Sequence, residues 1–109
     1  MNKIIAVDFD GTLCENKWPE IGEPNWELIH YLREQKEQGA RIILWTCREG
    51  QEAMDAVLWC LERGLILDTA NRNVPEIVTK FGGDCRKIYA DEYIDDKSCT
   101  QFKLPFVKE

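Results

Sequence analysis

The sequence lacks several features that mark particular classes of protein. Its net charge is −6, so no basic excess points to a nucleic-acid or anionic-membrane partner. It has no apolar run near the roughly 18 residues that a membrane-spanning helix needs, and no signal-peptide pattern at its start. Repeats, low-complexity tracts and linkers are also missing. At 109 residues, we therefore expect a single soluble domain over 1–109.

The cysteines lack the pattern of a disulfide scaffold. The five of them form no C-x-x-C pair, and their number is odd. Without a secretion signal, reduced thiols in a cytoplasmic protein are expected. The single histidine, His30, has no cluster of metal-binding residues around it in the sequence, and is expected to be structural or solvent-facing.

Apolar runs and helical periodicities alternate along the chain. The predicted strands are 3–9, 41–46, 65–67 and 88–94. The predicted helices are 25–38, 51–63 and 74–81. Asn25 is a good N-cap for the first helix, Pro75 suits the first turn of the third, and residues 12–24 are predicted to be irregular. This alternation favours an α/β fold with a parallel sheet covered on both faces.

Two aspartates end the first predicted strand. Residues i and i+2 of a strand point to the same side, so Asp8 and Asp10 face one place. Gly11 and Thr12 follow at once, at the carboxyl end where open α/β sheets bind ligands. Paired carboxylates repel each other unless a cation or a shared proton intervenes, and Mg²⁺ prefers such oxygen ligands. A simple polar turn would explain Asp10 but not Asp8, so the pair predicts a magnesium site.

Polar residues also mark the ends of two later strands. Thr46 ends the second strand, where its hydroxyl can donate to a phosphoryl oxygen. The last strand ends in Asp95 and Asp96, which repeat the first acidic pair, and Lys87 before it would offset negative charge. Alone, Thr46 fits a helix cap or turn and the second acidic pair fits a solvated turn. Together with Asp8, these residues predict one site at the carboxyl edge of the sheet.

The segments that hold these residues resemble a known superfamily. VDFDGTL, ILWTCRE and KIYADEYIDDK are similar to segments of the haloacid dehalogenase superfamily, specifically of its capless phosphatases. The D-x-D-G-T segment is the most specific part, and the resemblance covers nearly the whole chain in the expected order. It implies a three-layer Rossmann-like sandwich with a central parallel sheet, the first strand in a central position, and no cap domain.

The resemblance also implies a Mg²⁺-dependent phosphatase. Asp8 would attack phosphorus to form an aspartyl-phosphate, and Asp10 would protonate the leaving oxygen and then activate water. Lys87 would complete the catalytic set by offsetting charge. The implied metal ligands are Asp8, Asp10 through its carbonyl, Asp95 and Asp96. The predicted substrate-binding residues are Thr46, Arg48 and Gly11.

Two assignments stay open within this scheme. Lys80 competes with Lys87 as the catalytic lysine. Asp91 would replace Asp95 as a metal ligand if the last strand stopped at Ala90.

Two side chains near the predicted site could contact the substrate. Arg48 suits bidentate recognition of a second anion, although a surface position near a helix start is equally expected. Trp18 lies in the irregular segment, which could fold over the site as a small flap. By position, however, all four tryptophans are expected mostly in the core: Trp18, Trp26, Trp45 and Trp59.

The reaction itself is only partly fixed by the motifs. Asp10 argues against dehalogenation, because dehalogenases of that superfamily lack an acidic residue there. Phosphomutases keep both aspartates but normally carry a sizeable cap. The alternatives are a phosphate-responsive binding module with little turnover and a phosphotransferase to an acceptor other than water. An uncapped site would be open to a phosphorylated small molecule or macromolecule, or covered by the second subunit of a homo-oligomer.

Overall fold

The computed structural model describes residues 2–84 and 87–95, which form six strands and three helices. The strands are β1 (Ile4–Asp8), β2 (Cys14–Lys17), β3 (Glu20–Pro24), β4 (Arg41–Trp45), β5 (Thr69–Ala70) and β6 (Glu92–Ile94). The helices are α1 (Trp26–Glu37), α2 (Gly50–Glu62) and α3 (Pro75–Phe81).

Four strands form a central parallel sheet in the order β5-β4-β1-β6. β1 therefore has a neighbour on each side, and its residue Val7 pairs with Leu44 of β4 and Ile94 of β6. Because all four strands run the same way, their carboxyl ends share one edge of the sheet. Asp8, the last residue of β1, lies at that edge.

Helices cover both faces of the sheet. Alternate residues of a strand point to opposite faces, so Ile5 and Val7 pack with α1 and α2, whereas Ile4 and Ala6 pack with Ile77 of α3. These are two separate apolar clusters with the sheet between them. The arrangement confirms the predicted α/β fold with a parallel sheet and is compatible with a Rossmann-like fold.

The ends of the helices follow the sequence signals. The side chain of Asn25 accepts a hydrogen bond from the N–H of Leu28, as an N-cap should. Its amide also donates to the carbonyl of Thr12, which ties α1 to the turn after β1. α3 begins at Pro75 and ends before Gly82, whose φ of 74° is the left-handed conformation typical of a helix C-terminus.

Some of the predicted strands are wrong in position or length. Residues 65–67 do not form the predicted strand; Leu65 is buried in the cluster with α1 and α2, and the strand is Thr69–Ala70. The last strand is Glu92–Ile94 rather than 88–94, because its pairing with β1 begins only at Glu92. Ile88 lies before this pairing, in the apolar cluster that contains Ile77 of α3.

Residues 12–24, predicted to be irregular, contain an antiparallel hairpin of β2 and β3. Gly22 permits the close approach of the two strands, since a Cβ at this position would collide with the carbonyl oxygen of Glu15. This glycine interrupts the sequence pattern of a strand while making the pairing sterically feasible.

Three of the four tryptophans are exposed, against the expectation that they lie mostly in the core. Trp18, Trp26 and Trp45 are 54%, 47% and 41% exposed, whereas Trp59 is buried. Trp26 lies beside the exposed His30 on α1, with ring centroids 5.9 Å apart. His30 is therefore solvent-facing, as predicted.

No helix formed by residues 2–84 and 87–95 has the length and apolar character needed to cross a membrane. The three described cysteines, Cys14, Cys47 and Cys60, are free thiols. Burial raises the pKa of Cys14 to about 11 and that of Cys60 to about 12. Cys85 and Cys99 lie outside the described residues.

An ion cluster joins α1 to the amino edge of the sheet through Asp68. Its carboxylate accepts hydrogen bonds from the N–H of Ile42, from Arg41 and from Lys36. Burial acts to raise the pKa of Asp68, but these hydrogen bonds outweigh it and hold the pKa below its ordinary value. Asp68 therefore stabilises the fold above its unfolded pKa of about 4, and this stabilisation is lost as the pH falls through the lower folded pKa.

Asp68→Asn is expected to lower the free energy of unfolding at pH 7 by about 1–3 kcal/mol, the cost of losing hydrogen bonds to a charged group. Urea denaturation from pH 7 to pH 2 should also show a shallower loss of stability below about pH 4 than in the unaltered protein. Asp55→Asn, at an exposed position on α2, is the matched control. Parallel stability profiles for Asp68→Asn and the unaltered protein would contradict this account.

Candidate functional site

A cleft of about 330 Å³ lies at the carboxyl edge of the sheet. Its walls come from the end of β1, the segment after β4 and the hairpin of β2 and β3. The lining residues are Asp8, Asp10, Asn16, Trp18, Thr46, Cys47 and Arg48. Five residues selected from the sequence therefore meet in one place: Asp8, Asp10, Trp18, Thr46 and Arg48.

A tight turn fixes the position of Asp8. The carbonyl of Phe9 accepts hydrogen bonds from the N–H groups of Thr12 and Leu13, at 3.1 and 2.9 Å. Gly11 has a φ of 82°, a left-handed conformation that glycine adopts without steric cost. The hydroxyl of the buried Thr12 lies 3.5 Å from Oδ2 of Asp8, at the limit of a hydrogen bond. The carboxylate of Asp8 thus precedes a turn whose conformation is fixed by backbone hydrogen bonds.

Sheet register brings Asp95 beside Asp8. The pairing of β1 with β6 ends at Val7 and Ile94, so Asp8 and Asp95 each follow the last paired residue of neighbouring strands. Adjacent strands lie about 4.8 Å apart, which places these two acidic residues close together at the edge. Asp96, the other predicted ligand from this segment, lies outside the described residues.

Arg48 is buried against the cleft and paired with Asp10. Its Nε and Nη2 atoms each donate to one carboxylate oxygen of Asp10 at 2.8 Å, and its side chain is 1% exposed. These hydrogen bonds raise the pKa of Arg48 above its ordinary value. The alternative of a surface arginine is therefore wrong.

The same guanidinium also binds the hairpin. Nη1 donates to the carbonyl of Pro19 at 3.1 Å, and Nη2 donates to that of Glu20 at 2.9 Å. Four of the five N–H donors of Arg48 are thus engaged within the protein. One donor is left for a substrate anion, and the substrate-binding role of Arg48 stays a prediction.

Thr46 is held by Asn71, a residue that the sequence analysis did not identify. The N–H of Thr46 donates to the side-chain oxygen of Asn71 and its carbonyl accepts from the side-chain nitrogen, both at 2.8 Å. Asn71 directly follows β5 and has a φ of 55°, which asparagine tolerates better than most residues. An asparagine ending a strand is a recognisable turn signal, but the strand was predicted at 65–67. The Thr46 hydroxyl accepts from the N–H of Arg48 at 3.1 Å, which leaves its proton to donate.

Neither candidate lysine lines the cleft. Lys80 is exposed in the last turn of α3, with its amine 5.6 Å from the centroid of the Phe81 ring. Lys87 is also exposed, and its carbonyl accepts a hydrogen bond from Asn73. The choice between the two lysines therefore stays a prediction.

Asp91 lies at the opposite edge of the sheet from Asp8. Its carboxylate accepts a hydrogen bond from the N–H of Ile4, the first residue of β1, at 2.7 Å. β6 begins after Asp91 rather than stopping at Ala90. Asp95 therefore remains the predicted metal ligand.

The oxygen ligands near the cleft fit Mg²⁺ better than they fit a metal ion whose ligands all come from the protein. Among residues 2–84 and 87–95, no three Asp, Glu, His or Cys side chains are grouped to hold a metal ion. Mg²⁺ does not need such a group, since one or two carboxylates, waters and substrate phosphate oxygens satisfy it. Asp8, Asp95 and the carbonyl of Asp10 could form this kind of set. A divalent cation would also reverse the negative charge that Asp8 and Asp95 present to a phosphate dianion.

The sequence matches no model of a known protein family and no curated protein. It is similar to a solved structure described as the conserved protein coded by a locus from Bacteroides thetaiotaomicron. The identity is 41% and the TM-score is 0.76, over 86% of this chain and 75% of that chain. No activity is stated for that protein. The similarity therefore supports the fold and a family relationship, but it does not indicate which reaction the chain catalyses.

Proposed function

The chain belongs to the same family as that conserved Bacteroides thetaiotaomicron protein, and we propose that it is a Mg²⁺-dependent phosphomonoester hydrolase. The observation that carries this proposal is the meeting of Asp8, Asp10 and Thr46 in one cleft at the carboxyl edge of a parallel sheet. These residues supply a nucleophile, an acid and base, and a donor for a phosphoryl oxygen. The resemblance to capless phosphatases of the haloacid dehalogenase superfamily agrees with the proposal.

In the first step, a carboxylate oxygen of Asp8 attacks phosphorus and the bond from phosphorus to the leaving oxygen breaks. Asp10, which enters this step protonated and regains its proton from water in the second step, gives its proton to that oxygen. The oxygen leaves as an alcohol, and an aspartyl-phosphate remains on Asp8. The hydroxyl of Thr46 donates to a phosphoryl oxygen during this step. Catalysis is then mainly positioning and stabilisation of spread negative charge.

In the second step, Asp10 takes a proton from a water molecule, whose oxygen attacks phosphorus. The bond to Asp8 breaks, inorganic phosphate forms and the Asp8 carboxylate returns. Arg48 orients Asp10 through both carboxylate oxygens. Asp8, Asp95 and the carbonyl of Asp10 would hold Mg²⁺, which would neutralise part of the phosphoryl charge.

The proposal includes a flap but no cap domain. Between β1 and α1 the chain forms only the β2–β3 hairpin, and between α2 and residue 84 it forms β5 and α3. The hairpin contributes Asn16 and Trp18 to one wall of the cleft. Within residues 2–84 and 87–95 the chain forms no cap domain over the site, so we propose that it admits substrates of different sizes.

Release of inorganic phosphate from a panel of phosphomonoesters tests the proposal. We expect turnover with Mg²⁺ and its loss when EDTA removes the metal, with activity restored by excess Mg²⁺. Substrate consumed without an equal yield of phosphate, when alcohols are added, would instead favour a phosphotransferase. Binding of phosphomonoesters without turnover would favour a phosphate-responsive binding module.

A further inference from the structure

Trp18 forms the outer layer of a three-part stack on one wall of the cleft. The guanidinium carbon of Arg48 lies 5.0 Å from the ring centroid of Trp18 and 5.1 Å from that of Phe9. Phe9 and Arg48 are buried, whereas Trp18 is 54% exposed. One face of the indole is therefore covered by a cation, while the residue still lines the cleft.

Polar contacts hold the part of the hairpin that carries this ring. The N–H of Trp18 donates to the side-chain oxygen of Asn16 at 3.2 Å. Arg48 donates to the carbonyls of the next two residues, Pro19 and Glu20. The ring is thus positioned before a ligand arrives, which lowers the entropy lost on binding.

We infer that Trp18 is a stacking platform for the base of a nucleoside monophosphate, the substrate class of the phosphatase proposed above, on which this inference rests. A nucleobase has a flat π surface that stacks on an exposed indole. The cleft places this ring together with Asp8 and Thr46, so one ligand can stack while its phosphoryl group lies at the nucleophile.

The other lining groups fit the rest of that ligand. The side-chain oxygen of Asn16 accepts from the N–H of Trp18, and its amide nitrogen can donate to a sugar hydroxyl or to the edge of the base. Of the described residues that line the cleft, only Arg48 is cationic, and most of its donors are engaged. The cleft therefore offers little positive charge beyond that needed for one phosphoryl group, which favours a monophosphate over a di- or triphosphate.

The test compares adenosine 5′-monophosphate and cytidine 5′-monophosphate with ribose 5-phosphate, which has the same phosphoryl and sugar groups but no base. We expect kcat/KM to be higher for the nucleotides. Trp18→Leu should lower the ratio of nucleotide to ribose 5-phosphate kcat/KM by roughly 5- to 150-fold, the range that a stacked base contributes. Trp18→Phe keeps a ring and should retain most of the ratio.

Trp26→Leu is the matched control, because Trp26 is a similarly exposed tryptophan that does not line the cleft. It should leave the ratio unchanged. A general disturbance of the hairpin by Trp18→Leu would lower both kcat/KM values together and leave their ratio fixed, which would overturn the inference.

A binding measurement separates this inference from the proposed phosphatase activity. Calorimetric titration of the unaltered protein with adenosine 5′-monophosphate and with ribose 5-phosphate, in Mg²⁺, does not require turnover. Tighter nucleotide binding that is lost in Trp18→Leu would support the platform even if no substrate were hydrolysed. Hydrolysis of phosphomonoesters with equal affinity for both ligands would overturn the platform and leave the phosphatase proposal standing.

Discussion

Asp8→Asn is expected to lower the rate of phosphate release by about 10⁴-fold or more, the scale of loss when an enzyme's nucleophile is removed. The side-chain amide is a poor nucleophile and cannot form the aspartyl-phosphate. The variant should fold, because asparagine has the shape of aspartate and its oxygen can still accept from the hydroxyl of Thr12, 3.5 Å from Oδ2 in the unaltered protein. Initial rates at saturating Mg²⁺, beside thermal unfolding of the same sample, provide the measurement.

The matched control is Asp55→Asn, which makes the same chemical change at an exposed residue outside the cleft. Its turnover should equal that of the unaltered protein. The covalent step can be checked by quenching turnover with borohydride, which reduces an aspartyl-phosphate to homoserine. Peptide mass spectrometry should locate that homoserine at position 8. Normal turnover by Asp8→Asn, or homoserine at another aspartate, would remove Asp8 from its proposed role.

The parts of the fold that were predicted from the sequence are those governed by local signals. The apolar run of β1, the N-cap at Asn25 and the proline in the first turn of α3 each act within a few residues. Parallel strands end on the same side of a sheet. Asp8 and Thr46, at the ends of the parallel strands β1 and β4, therefore lie at the same edge. The approximate composition of the cleft could therefore be predicted before its geometry was known.

The missed features depend on contacts between distant residues. The β2–β3 pairing depends on the close approach at Gly22, and β5 depends on pairing with β4. The partners of Arg48 are a residue 38 positions away and two carbonyls of the hairpin. Local spacing reveals a nearby arginine but not which groups it binds. The exposure of Trp45 is likewise set by the end of β4 at the edge of the sheet, although its large apolar side chain favours burial.

Replacing Arg48 by methionine is expected to reduce stability by about 2–4 kcal/mol. The change leaves the Asp10 carboxylate and the carbonyls of Pro19 and Glu20 without their donor. Removing one partner of a fully buried ion pair costs about 3–5 kcal/mol, and the estimate here is lower because the Asp10 side chain is 20% exposed. Urea denaturation gives the change.

Arg63→Met provides the control for that measurement. Arg63 also lies over an aromatic ring, 4.0 Å from the centroid of Trp59, and donates to the Trp59 carbonyl at 3.0 Å. Arg63 forms no ion pair with a carboxylate of the described residues, so its loss should cost less than that of Arg48. Equal destabilisation by the two variants would show that stacking, rather than the pairing with Asp10, accounts for the effect.

Arg48→Lys tests the orientation of Asp10 in a variant that keeps the positive charge. A lysine cannot donate to both carboxylate oxygens in the fixed geometry of a guanidinium, so Asp10 should protonate the leaving oxygen less efficiently. We expect kcat to fall about 10- to 100-fold for alkyl phosphates. It should fall much less for p-nitrophenyl phosphate, whose leaving group needs little protonation. The same dependence on the leaving group in Asp10→Asn would assign the effect to Asp10. An equal loss of kcat for both esters would instead show that Arg48 acts through the overall structure of the cleft.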